Sequence, residues 1–98
     1  ADVKVTPDGR FVYGTNRGHD SIVVYQVGKQ GKLKTVAIVP SRGKGPQNLA
    51  ITPDGRLLLC ANMPGGNVAV FRIDGKSGGL QPVGKPIAVP SPSCIMIR

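Results

Sequence analysis

Val3-Lys4-Val5-Thr6-Pro7-Asp8-Gly9-Arg10-Phe11-Val12-Tyr13-Gly14-Thr15-Asn16 aligns with Leu49-Ala50-Ile51-Thr52-Pro53-Asp54-Gly55-Arg56-Leu57-Leu58-Leu59-Cys60-Ala61-Asn62 at an offset of 46 residues. A self-similarity of this period marks a repeat architecture and takes precedence over any local pattern. It continues from Ser21-Ile22-Val23-Val24-Tyr25 onto Asn67-Val68-Ala69-Val70-Phe71, and from Gly31-Lys32-Leu33 onto Gly78-Gly79-Leu80 after a one-residue insertion. Pro46-Gln47-Asn48-Leu49-Ala50-Ile51 then matches Pro92-Ser93-Cys94-Ile95-Met96-Ile97, so a third repeat has begun at the end of the sequence.

Each repeat holds four short apolar runs rich in β-branched residues and bounded by turn formers, the pattern of strands rather than helices. The expected strands span 2–6, 11–16, 21–27 and 34–39, then 48–52, 57–62, 67–73 and 82–89, with a closing strand over 94–97. No helix is expected. Each Thr-Pro-Asp-Gly segment supplies Pro for a fixed φ and Gly for a positive φ, and so joins the first strand of its repeat to the second as a tight hairpin.

Runs such as Ile22-Val23-Val24-Tyr25 and Leu57-Leu58-Leu59-Cys60 are apolar on both alternating faces, which calls for burial on both sides of a sheet. Radially stacked blades meet that requirement, and four strands in a repeat of this length are the mark of a β-propeller. The sequence therefore predicts an all-β fold of two consecutive four-stranded antiparallel blades. Residues 1–46 form the first blade, 47–92 the second, and 93–98 the inner strand of a third. A β-sandwich is the alternative, and the recurrence of one turn sequence at a fixed offset argues against it.

Composition narrows the function classes. Thirteen Lys and Arg against five Asp and Glu give a net charge of +8, a field that attracts anions. The basic residues are scattered singly, without a dense run or interleaved aromatics, so nucleic acid is not the expected partner. No run approaches the roughly 18 to 20 apolar residues that cross a bilayer, and the chain is expected to be soluble, with no membrane partner. Cys60 and Cys94 lie inside apolar runs, which suits buried free thiols in a reducing, cytoplasmic compartment. Neither a metal site nor a cofactor is expected.

Phe11-Val12-Tyr13-Gly14-Thr15-Asn16-Arg17-Gly18-His19-Asp20-Ser21-Ile22, Gly45-Pro46-Gln47-Asn48-Leu49-Ala50-Ile51, Asn67 to Asp74 and Val89-Pro90-Ser91-Pro92-Ser93-Cys94 together resemble the C-terminal part of the seven-bladed lactonase family that includes 6-phosphogluconolactonase and 3-carboxymuconate cyclase-like proteins. The Asn-Arg-Gly-His segment, the Gly-x-Leu before the outer strand and the Pro-Ser-Cys strand carry most of that likeness. The resemblance implies the last two blades of a seven-bladed ring, with residues 94–97 completing a blade whose outer strands come from the N-terminus of the whole protein. It also implies that the remaining blades, or self-assembly, cover the two outer blade faces.

In a four-stranded meander, the loop after the second strand and the loop into the next blade emerge at one end. Residues 16–20, 41–47, 62–66 and 91–93 are thus expected on one rim, with the Pro-Asp-Gly hairpins at the other. A lactonase of the kind the resemblance implies must hold a sugar lactone and help water attack its carbonyl, which needs cations for an anionic substituent, donors for the oxyanion and a base. Arg17, whose planar guanidinium grips oxyanions with paired hydrogen bonds, and His19, the sole histidine, are the expected catalytic residues. Asn16, Gln47, Asn62 and Lys44 are the expected substrate-binding residues. Two positions depart from the family pattern: Pro46-Gln47 stands where Pro-Arg is typical, and Ala61-Asn62-Met63 where Ala-Asn-Gln is common. The alternative reading is a non-catalytic propeller that binds a partner or ligand, as in YVTN-type repeats.

Overall fold

The computed structural model describes residues 2–63 and 65–89. They form two antiparallel sheets. The first holds β1 (Val3–Val5), β2 (Phe11–Asn16), β3 (Ser21–Val27) and β4 (Leu33–Pro40), in that order. The second holds β5 (Pro46–Ile51), β6 (Leu57–Asn62), β7 (Asn67–Ile73) and β8 (Leu80–Pro82), with β9 (Ile87–Ala88) also on β7. Both are simple meanders, as the repeat requires. The closing strand expected over 94–97 lies outside the described residues.

The hairpin turns are equivalent atom for atom. The Thr6 hydroxyl donates to Asp8 Oδ1 at 2.6 Å, and that oxygen also accepts from the Arg10 amide at 3.0 Å. In the second sheet Thr52 and Arg56 make the same bonds to Asp54, at 2.6 and 3.0 Å. Gly9 and Gly55 take φ of 74° and 73°, the positive values the turn demands. The threonine hydroxyls and the arginine amides hold the Asp8 and Asp54 carboxyls below the usual carboxylate range.

Two expectations need correction. The strand expected over 82–89 is two short strands, because the four residues Val83 to Pro86 face only Ala69 and Val70 of β7. The surplus loops out, and Pro86 has no N–H to return to the ladder. The chain between β3 and β4 is also not purely extended: Lys29–Gly31 makes one 3₁₀ turn, with Gln30 at φ 62°.

The core lies between the sheets. Phe11, Tyr13, Ile22 and Val24 of the first pack against Leu49, Leu58, Cys60, Ala69, Phe71 and Ile73 of the second. These residues alternate along their strands, so one face of each sheet is buried against the other. On the opposite face of the first sheet Val3 pairs with Gly14 and Val5 with Val12, and there Val3 and Val5 are 61% and 54% exposed. Ile38, which pairs with Val23 on that same face, is 59% exposed.

Candidate functional site

Three loops meet at one end of the paired sheets, and Asp20 ties two of them. Its carbonyl accepts from the Ser41 amide at 3.0 Å and from Ser41 Oγ at 2.9 Å, while its Oδ1 accepts from the Gly45 amide at 2.9 Å. The residue holds φ 53°, a left-handed conformation that Asp tolerates better than most side chains. The third loop joins through the Met63 amide donating to Gly45 at 2.8 Å and the Gly65 amide to Lys44 at 3.1 Å. Residues 17–20, 41–45, Met63 and 65–66 thus form one knit surface, and both Pro-Asp-Gly turns close the other end of their strands.

On that surface Arg17, His19 and Lys44 are exposed, as is Asn16 at the end of β2. Neither Arg17 nor Lys44 has a side-chain hydrogen bond or ion pair among the described residues. His19 Nδ1 lies 3.0 Å from Ser21 Oγ, a contact that orients the ring. Gln47 sits at a bulge, between the Pro46–Asn62 and Asn48–Ala61 pairs, and is half-buried. A bulge at the start of an innermost strand re-aims its extra side chain. Arg42, in the same loop as Lys44, is committed elsewhere: its Nη1 donates to the Gly84 carbonyl at 2.7 Å.

Asn62 differs from the others. It is fully buried, and its Nδ2 donates to the Ser41 carbonyl at 3.1 Å and to Asn67 Oδ1 at 2.8 Å. Asn67 in turn donates to the Arg42 carbonyl at 3.2 Å. This pair of amides carries the 41–45 loop on the second sheet. The equivalent Asn16 is exposed, although the two share a repeat position. Asp20, which the sequence analysis did not single out, ties the 17–20 and 41–45 loops together. Its alignment with Gly66, which has φ 70°, was the available signal for a left-handed corner.

A cleft of about 660 Å³ opens at the opposite end, between the two Pro-Asp-Gly hairpins, rather than on this rim. Among the described residues no three His, Cys, Asp or Glu side chains cluster as metal ligands. Nor, among the described residues, is any helix long and apolar enough to cross a membrane.

The family model "Lactonase, 7-bladed beta-propeller" matches residues 1–97. The chain belongs to the seven-bladed β-propeller lactonase family. The two sheets are therefore blades of a seven-bladed propeller, and the loop-bearing end is one face of its ring. The chain is 39% identical over 100 residues to a 6-phosphogluconolactonase of Formosa agariphila, covering 99% of this chain and 28% of that protein. It is 38% identical over 94 residues to a 6-phosphogluconolactonase of Bacillus subtilis, covering 95% and 27%. The structure of the periplasmic gluconolactonase PpgL of Pseudomonas aeruginosa superposes with a TM-score of 0.88 at 30% identity, over 95% of this chain and 26% of that one. The chain thus spans just over a quarter of the length of the curated relatives it matches.

Proposed function

We propose that the whole protein hydrolyses a sugar lactone of the 6-phosphogluconolactonase type, and that the rim carrying Arg17 and His19 holds the substrate. The observation that carries this reading is the pairing of unengaged cations, Arg17 and Lys44, with a lone oriented histidine on one hydrogen-bonded surface, in a chain 39% identical to a 6-phosphogluconolactonase. Gln47 and Asn16 border the same end. Their amides suit the hydroxyls of a sugar ring.

The chemistry asks little of the chain beyond position. Arg17 and Lys44 take the anionic substituent of the substrate, Arg17 with paired hydrogen bonds and Lys44 as a point charge. In the tautomer whose Nδ1–H donates to Ser21 Oγ, His19 Nε2 is the nitrogen that accepts a proton from the attacking water. Water then adds to the lactone carbonyl, the oxyanion is held by rim donors, and collapse expels the ring oxygen, which leaves as a hydroxyl after protonation. No metal or cofactor is required for this sequence of steps.

The uncovered face of the first blade, with Val3, Val5 and Ile38 outward, packs on another blade of the ring. The isolated 98-residue segment then associates rather than remaining a well-folded monomer on size exclusion. The buried, unpaired thiol of Cys60 supports a reducing, cytoplasmic compartment, which cell fractionation checks.

The deciding experiment measures lactone hydrolysis by the full-length protein above the spontaneous rate. Arg17→Ala is expected to raise KM, and His19→Ala to lower kcat. Unchanged turnover in both variants removes the site assignment. Absence of lactone turnover together with capture of a specific ligand favours the non-catalytic module instead.

A further inference from the structure

We infer that the Asp74-Gly75 peptide is a site of spontaneous backbone isomerisation, where aspartate converts to its β-linked isomer through a cyclic imide, while the fold protects the Asp8-Gly9 and Asp54-Gly55 peptides. The inference is independent of the lactonase reading.

The chain contains three Asp-Gly pairs, Asp8-Gly9, Asp54-Gly55 and Asp74-Gly75. Glycine after aspartate favours cyclisation, because no Cβ hinders the peptide nitrogen and the backbone reaches the required conformation at little cost. The glycine nitrogen bonds to the aspartate Cγ, and the carboxyl hydroxyl leaves with the amide proton as water. Water then reopens the five-membered imide at its main-chain carbonyl, so the chain runs through the former side chain and is longer by one methylene.

Side-chain placement does not distinguish the three. Oδ1 of Asp8 accepts from the Arg10 amide at 3.0 Å, that of Asp54 from the Arg56 amide at 3.0 Å and that of Asp74 from the Lys76 amide at 2.8 Å. Each carboxyl thus closes a ring around the nitrogen that would attack it. Threonine hydroxyls hold Asp8 and Asp54 below the usual carboxylate range and the Lys76 amide does so for Asp74, so the neutral acid that cyclises is scarce at all three.

The glycine amides separate them. Gly9 N–H donates to the Thr6 carbonyl at 2.9 Å and Gly55 N–H to the Thr52 carbonyl at 2.8 Å, so cyclisation must break a turn bond at each. Gly75 N–H has no acceptor among the described residues, and both Asp74 and Gly75 are exposed. The Gly78 amide donates to the Asp74 carbonyl at 2.8 Å, which polarises the Asp74–Gly75 peptide and favours loss of the Gly75 amide proton. The blade that packs on this turn is the first one: the Arg10 guanidinium donates to the Gly75 carbonyl at 3.1 Å and the Tyr13 hydroxyl to the Gly78 carbonyl at 2.6 Å. An inserted methylene displaces both acceptors and loosens the contact between the blades.

The full-length protein is incubated at neutral pH for several weeks, folded and in guanidinium chloride, then digested. Isoaspartate in each of the three peptides is read by mass spectrometry after labelling with an isoaspartyl methyltransferase. Comparable rates are expected at the three sites in the unfolded chain. In the folded protein Asp8 and Asp54 are expected to slow by about tenfold or more, the cost of breaking their turn bonds, while Asp74 stays near its unfolded rate. An added Cβ at Gly75 meets nothing within 4 Å, so Gly75→Ala is expected to keep the melting midpoint of the fresh protein, suppress isomerisation at Asp74 and lessen the fall of the midpoint on ageing. Protection of Asp74 equal to that of Asp8 and Asp54, or isoaspartate forming at either of those sites as fast as at Asp74 in the folded protein, overturns the proposal.

Discussion

The Tyr13 hydroxyl donates to the Gly78 carbonyl at 2.6 Å, joining the second strand of the first blade to the turn between β7 and β8 of the second. Tyr13 is fully buried, and Gly78 stands at φ 75° with the Phe11 ring where its side chain would be. A hydrogen bond and an aromatic contact thus fix the spacing of the blades, which sets the cleft at one end and the loop cluster at the other.

Removing this bond tests how far the blades depend on it. Tyr13→Phe leaves the Gly78 carbonyl without its donor and is expected to cost about 1–2 kcal/mol. Gly78→Ala adds a collision with Phe11 and a strained φ, and is expected to cost on the order of 2 kcal/mol or more. Urea denaturation of the full-length protein reads both, as a lower midpoint at constant slope.

Alkaline pH should weaken the same region. Burial pushes the Tyr13 phenol up to about 12 and the Cys60 thiol up to about 12, from ordinary values of 10.0 and 9.0. A folded-state pKa above the unfolded one means that the native protein holds its proton more tightly. Each group's contribution is complete below its unfolded value and is lost as pH rises toward its folded value. Stability is therefore expected to fall from pH 9 through 12, and less steeply in Tyr13→Phe and Cys60→Ala. Melting midpoints across that range check it, and parallel slopes in all three proteins contradict it.

Asp20 acts on the rim by position. Asp20→Ala removes the acceptor for the Gly45 amide and puts a poorly suited residue at φ 53°. Asp20→Asn keeps an acceptor oxygen and tolerates that φ. The alanine variant is expected to lose about tenfold in kcat/KM for the lactone through displaced loops. The asparagine variant should recover most of it, whereas equal losses in the two would show that the carboxylate charge matters instead.

The innermost strands are linked by a bond between equivalent positions. Asp2 Oδ2 accepts from the Leu49 amide at 2.8 Å and from Asn48 Nδ2 at 3.2 Å, and Asp2 aligns with Asn48 at the repeat offset of 46. Asp2→Ala orphans the Leu49 amide and is expected to cost about 1–3 kcal/mol, with Asp2→Asn milder. Hydrogen exchange locates the effect: the Leu49 amide should lose protection in Asp2→Ala.

Much of this was legible in the chain before any coordinates. The offset of 46 residues, the Thr-Pro-Asp-Gly turns and the doubly apolar strands dictated two meanders facing each other, because strand alternation and turn chemistry are local and each appears twice. The loops carrying Arg17, His19 and Lys44 were placed at one end by the same logic, since strand direction alone decides which turns share an end. Side-chain commitment was beyond that reach. Asn16 and Asn62 hold one repeat position, yet Asn62 is buried against Ser41 and Asn67 while Asn16 is exposed. Arg42 and Arg17 look alike as loop cations, but only Arg42 meets the Gly84 carbonyl across the molecule. The break in the strand over residues 82–89, the Asp20 link and the cleft under the hairpins likewise arise from contacts between segments far apart in sequence. A repeat fixes what each blade is by short-range periodicity, whereas packing one blade on another decides which of its polar groups remain unoccupied.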